Sequence, residues 1–209
     1  NNTTIVDSTI KANNLQAAGA ESINVSEWRA GFADTENDTL TLTNTTVRNK
    51  AGDGAIDTVK LAGSNVTFGG GSTDASSFKA ESVAVASRQK IAINGLVNIT
   101  GADGLSLSGQ DITVNGSVNA KKIGLTATQN GITLEAASVL TAAGGANTIT
   151  LTASNGSIDA QGAMTADTIT LTAPDTALGG NNKAINAQTL TIAATDSRSE
   201  EHTSELQSL

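Results

Sequence analysis

Short runs in which aliphatic and polar residues alternate recur along this chain. The fullest form is a polar residue followed by Thr, an aliphatic, Thr and an aliphatic. It reads DTLTLT at Asp38–Thr43, NTITLT at Asn147–Thr152, DTITLT at Asp167–Thr172 and QTLTIA at Gln188–Ala193. Shorter versions stand at Val59-Lys60-Leu61, Val83-Ala84-Val85, Leu105-Ser106-Leu107 and Ile123-Gly124-Leu125. The first aliphatic of each falls at 40, 59, 83, 105, 123, 149, 169 and 190, in steps of 19, 24, 22, 18, 26, 20 and 21. A period of about 20 residues is that of a solenoid.

Each period holds further short runs. Ile91-Ala92-Ile93 and Val97-Asn98-Ile99 follow Val83; Ile112-Thr113-Val114 and Val118 follow Leu105; Ile132-Thr133-Leu134 and Val139 follow Ile123. Ile158 and Met164 follow Ile149, and Leu178 and Ile185 follow Ile169. Alternation sends one set of side chains inward and the other outward, and Gly, Asn, Ser and Asp mark the turns between. The fold expected is all-β, a right-handed parallel β-helix with three short strands per turn. Residues 1–39 hold less regular first turns and 40–197 the repeats. Ile5, Ile10 and Leu15 make one early turn and Ile23-Asn24-Val25 another, with Ser26–Phe32 as a loop packing over the coil. That loop holds Trp28, the sole Trp, whose other reading is a ligand-stacking residue. The competing fold is antiparallel. Asn-Gly favours hairpins, and it occurs at Asn94-Gly95, Asn115-Gly116, Asn130-Gly131 and Asn155-Gly156. The repeat, however, returns once per period and not once per hairpin.

Composition fits a narrow coil. The chain has 209 residues, no Cys, one Pro (Pro174), three Phe, one Trp and no Tyr. A globular core of this length would lean on aromatics, whereas a stack of small aliphatics has no room for them. Pro cannot donate to a ladder, which explains its scarcity. The net charge of -8 and the lack of any basic cluster beyond Lys121-Lys122 exclude a phosphate-binding surface. No run is long and apolar enough to span a membrane.

The terminal residues Arg198–Ser208 read RSEEHTSELQS. They resemble the translation of a common short-read sequencing adapter, so 198–209 is set aside as a non-native tail. His202, the only His, then carries no functional weight. The start at Asn1-Asn2 instead of Met gives the expectation of an internal fragment.

Reactive chemistry is sparse. With neither Cys nor a native His, nucleophilic triads and zinc sites are missing. The GGxGxD calcium repeat and the phosphate loop are absent too, and Gly69-Gly70-Gly71 reads as a flexible turn. Asp103, Asp111 and Glu135 are candidate carboxylates for a polysaccharide-cleaving site, but nothing selects a pair, and solvated surface acids account for them equally. Thr150/Thr152 and Thr170/Thr172 form a candidate outward array for ice or glycans, against the plainer reading of Thr as a good exposed strand residue. Asn65-Val66-Thr67 and Asn98-Ile99-Thr100 match the glycosylation pattern, as chance predicts in an Asn- and Thr-rich chain. No catalytic, metal or cofactor residue is assigned, and the binding residues stay open.

With its TITLTA repeats, Asn-Gly turns, missing Cys and Ala/Thr/Asn bias, the chain resembles the filamentous haemagglutinin family over roughly residues 40–194. The resemblance implies a large, secreted, non-enzymatic adhesin of the Gram-negative cell surface, exported through an outer-membrane transporter by two-partner secretion. It also implies that host-cell or neighbouring-cell glycans or proteins are met by other parts of the chain, and that no nucleic acid or cofactor is involved. The family's Asn-Pro-Asn secretion motifs are missing, which places this segment in the downstream shaft, carrying a distal binding or toxin domain. An autotransporter passenger segment and a carbohydrate-binding or -cleaving β-helix are the alternatives.

Overall fold

The computed structural model describes the backbone of residues 2–6, 9–12, 15–17, 21–23, 27–31, 39–49, 56–179 and 183–195, and the side chains of 39–47, 57–179 and 183–195. The expected non-native tail and His202 lie outside the described residues. The fold is an all-β solenoid of parallel strands, with about 7 turns of about 22 residues each. At about 4.8 Å per turn, that makes a rod of roughly 34 Å.

Every complete turn has three faces. Strand Gly104–Val114 shows the plan: its 104–109 part lies on the first face, it bends, and its 111–114 part lies on the second. Ser117–Ala120 then forms the third face. In the next turn Lys122–Leu134 repeats the bend and Val139–Ala142 follows. The two bent faces make one twelve-stranded sheet, and the third face makes an eight-stranded sheet. The ladder register slips at each bend, between Ala86 and Lys90 and between Gly109 and Asp111. An extra residue on one strand bends it locally, which turns the chain from one face to the next.

Inward positions stack in files. Val59, Val83, Leu105, Ile123, Ile149, Ile169 and Leu190 pair in direct register on the first face. All but Leu190 are at most 2% exposed. Leu190 and Ile192 keep the inward register but are 45% and 50% exposed, because no further described turn covers them. The Asn-Gly pairs are corners, not hairpins. Ile91–Ile93 and Leu96–Ile99 flank Asn94-Gly95, yet each pairs with the turns above and below. The amides of Asn115 and Gly116 both reach the Ile93 carbonyl, at 2.8 and 2.9 Å. Pro174 also sits at a corner, between Thr168–Ala173 and Asp175–Leu178, outside the ladders.

Several expectations are corrected. Leu40 does not head the first-face file; it pairs with Val66 on the second face, and Trp28 is the partner of Val59. Thr-aliphatic alternation suits any face, so the motif alone does not say which. Ser26–Phe32 is not a loop over the coil, since Glu27–Gly31 is a strand of the first face. The early turn holds Asn2–Val6 and Thr9–Ala12, paired with Thr39–Thr43 and Thr46–Asn49. Leu15–Ala17 does not belong to it, but pairs antiparallel with Glu21–Ile23 as a small separate sheet. Aromatics do fit inside: Phe68 and Phe78 are at most 1% exposed and meet edge to face with centroids 6.1 Å apart. Both keep the inward register, Phe68 paired with Ile93 and Phe78 with Ile99 of the next turn.

Candidate functional site

The polar residues that open the last three full repeats have a structural task. Asn147, Asp167 and Gln188 stack at one corner in successive turns. Asn147 Nδ2 donates to Asp167 Oδ2 at 3.0 Å, and Gln188 Nε2 to Asp167 Oδ1 at 3.2 Å. The Asp167 amide in turn donates to Asn147 Oδ1. Such a ladder satisfies corner groups that the β-ladders leave over.

Gly69-Gly70-Gly71 is held, not free. Asp74 Oδ2 accepts the amides of Gly70 and Gly71 at 2.6 and 3.0 Å, and Asp74 Oδ1 accepts Asn44 Nδ2 at 3.1 Å. Asp74→Ala removes all three bonds. Amide exchange at Gly70 and Gly71 should then quicken at least about tenfold, since a hydrogen bond to a charged group is worth about 1.5–3 kcal/mol. Exchange in Ile112–Val114 should stay unchanged. Hydrogen exchange read by NMR checks both.

The candidate acids are not brought together. Asp103 precedes the first face of its turn, Asp111 opens the second face, and Glu135 follows the second face one turn later. These are three different corners of the triangle. Asp103 pairs with Lys122 at 3.4 Å and Asp111 with Lys90 at 3.9 Å, all at the surface. Among the described residues no group of three or more metal-ligating side chains occurs, and no helix is long and apolar enough to cross a membrane.

The Thr array is wider than the repeat motif alone indicates. Thr148, Thr168 and Thr189 stand in register, as do Thr150, Thr170 and Thr191, so it spans three turns. These two files stop at Lys122 and Gly124, which hold the same positions one turn earlier, whereas the file of Thr152 and Thr172 continues back to Thr126 and ends forward at Ala193.

A surface concavity follows from unequal corners between the third face and the next first face. After Ile99 that corner is the four-residue loop 100–103; after Ala120 it is Lys121 alone; after Ala142 it is the five-residue loop 143–147. One tight corner between two protruding loops leaves a notch, an open groove of about 940 Å³. Asn98, Asn119 and Lys121 line it with Thr141, Ser77 and Glu81. Asn98 and Asn119 are neighbours on the third face, and Asn119 Nδ2 donates to Asn98 Oδ1 at 2.9 Å.

Both walls are pinned. Glu81 Oε2 accepts the Ala102 amide at 3.0 Å, and the Glu81 carbonyl accepts the Asp103 amide at 2.9 Å. Asn147 Nδ2 closes the lower loop onto the Gly144 carbonyl at 2.8 Å. The groove therefore offers amides, hydroxyls, one ammonium and the Glu81 carboxylate in a preformed frame. Its signal in the sequence is the run of steps 22, 18 and 26, a short turn between longer ones. Of the glycosylation-pattern Asn residues named above, Asn98 lies in this groove, while Asn65 donates to Gln89 at 3.4 Å. No protein-family model, curated protein or solved structure matches the chain.

Proposed function

We propose that this chain is a shaft segment of a large secreted bacterial surface adhesin of the filamentous haemagglutinin type, exported by two-partner secretion. The segment is non-enzymatic and holds a distal binding or toxin domain away from the outer membrane. The observation that carries the reading is the unbroken first-face register from Val59 to Leu190. A coil whose turns stack in register gains length with every repeat and needs only its neighbours for support, which is what a spacer requires. The cysteine-free sequence suits a chain that crosses an oxidising periplasm unfolded, since it has no thiols to trap.

Long reads of the source locus across both ends of the segment test this. The expected result is an upstream signal peptide with an Asn-Pro-Asn secretion domain and a neighbouring outer-membrane transporter gene. A translocating barrel encoded in the same chain would replace two-partner export with an autotransporter. A gene encoding this coil alone, or one ending in a catalytic module, would overturn the shaft reading.

A further inference from the structure

We propose that the groove between loops 100–103 and 143–147 is a binding site for a saccharide chain bearing a carboxylate, with Lys121 as its anchor. The proposal is independent of the shaft reading, which needs no binding by this segment.

The two loops belong to turns two steps apart, so their backbones stand about 10 Å apart along the axis, and the lining runs over four successive turns, from Ser77 to Thr141. The floor is polar. Asn98 and Asn119 spend one donor and one acceptor on each other, which leaves Asn98 Nδ2 and Asn119 Oδ1 for a ligand. Thr141 and Ser77 add hydroxyls on the same outward file. Donors and acceptors in alternation suit a hydroxyl-rich ligand.

Lys121 supplies the charge. Its ammonium has no carboxylate or hydrogen-bond partner among the described residues, unlike Lys90 and Lys122. Its stem runs close to Gly144, where an added Cβ would lie 3.9 Å from Lys121 Cγ. Glu81, the one acid in the lining, is turned to the Ala102 amide. On a chain of net charge -8, a free cation in a preformed polar groove selects for an anion on the ligand.

A peptide fits less well. The third-face strands at the groove are already paired on both sides, so no edge is open for strand addition. The one large apolar side chain in the lining, Ile99, is 5% exposed, so nothing there receives apolar side chains.

The test is calorimetric titration of the whole chain with a galacturonic acid trimer and a sialylated trisaccharide, each beside its methyl ester, and with an aspartate trimer. At least one acidic saccharide should bind, more weakly as salt rises, and in preference to its ester. Lys121→Met should weaken that binding at least about tenfold and abolish the preference for the acid over the ester. Lys122→Met, beside it but paired with Asp103, should change neither. Circular dichroism of each variant verifies the fold. No binding of either saccharide, equal binding by Lys121→Met, or tighter binding of the aspartate trimer would overturn the assignment.

Discussion

Leu107→Asp should unfold the middle of the rod, while Ser106→Asp, one residue earlier, should barely register. Leu107 is fully buried between Val85 and Leu125 in the second inward file of the first face. The substitution forfeits about 1.5–3 kcal/mol of apolar burial and places a carboxylate where an unpaired ion costs several kcal/mol more. Together these rival the whole stability of an ordinary domain, about 5–15 kcal/mol. Because each turn is supported mainly by its neighbours, the loss should sever the coupling between the turns on either side. Ser106 points outward on the same strand, so an Asp there should cost about 1 kcal/mol or less. Urea unfolding followed by circular dichroism reads both. Comparable losses at the two sites would mean that the strand does not alternate as described.

Gly116→Val should be a strongly damaging corner substitution. A Cβ at Gly116 would lie 2.0 Å from the Gly95 carbonyl oxygen and 2.7 Å from its carbon. Both are backbone atoms of the turn before, so relief requires moving a ladder and not a side chain. Overpacking of that kind costs about 3 kcal/mol or more. Gly145→Val is the matched control: nothing lies within 4 Å of its added Cβ, and it should be close to neutral. Equal destabilisation by the two would show that the corners do not stack closely. The same contact explains Asn-Gly at these sites. The pair reads as a hairpin signal, but here Gly is required by the approach of the neighbouring turn.

From Val59 onward the first-face file is legible residue by residue, because each repeat presents one strongly alternating run and one register satisfies them all. Legibility fails where the pattern is shared. TLTLT at residues 39–43 is as good a second-face strand as a first-face one, and only the partner strand Glu27–Gly31 decides. The Leu15–Ala17 and Glu21–Ile23 pair interrupts the period with a local sheet that has no counterpart among the described residues of later repeats. Phe68 and Phe78 occupy inward positions in register with Ile93 and Ile99, which no count of aromatics reveals. The groove was present in the sequence only as uneven steps. That Lys121 is a single-residue corner between two loops depends on where the third-face strands end, and alternation alone does not fix those ends.

The most direct test of the stacked coil is distance measurement between spin labels along one outward file. The cysteine-free chain takes pairs of single cysteines without background. Ala84, Ser106, Gly124, Thr150, Thr170 and Thr191 occupy one file on the first face. With one label at Ala84 and the other at Thr150, Thr170 or Thr191, the backbone separations should be about 14, 19 and 24 Å, a constant increment per turn. Separations that fail to grow in that order, or that bring Thr191 closer to Ala84 than Thr150 is, would contradict a single axis of parallel turns.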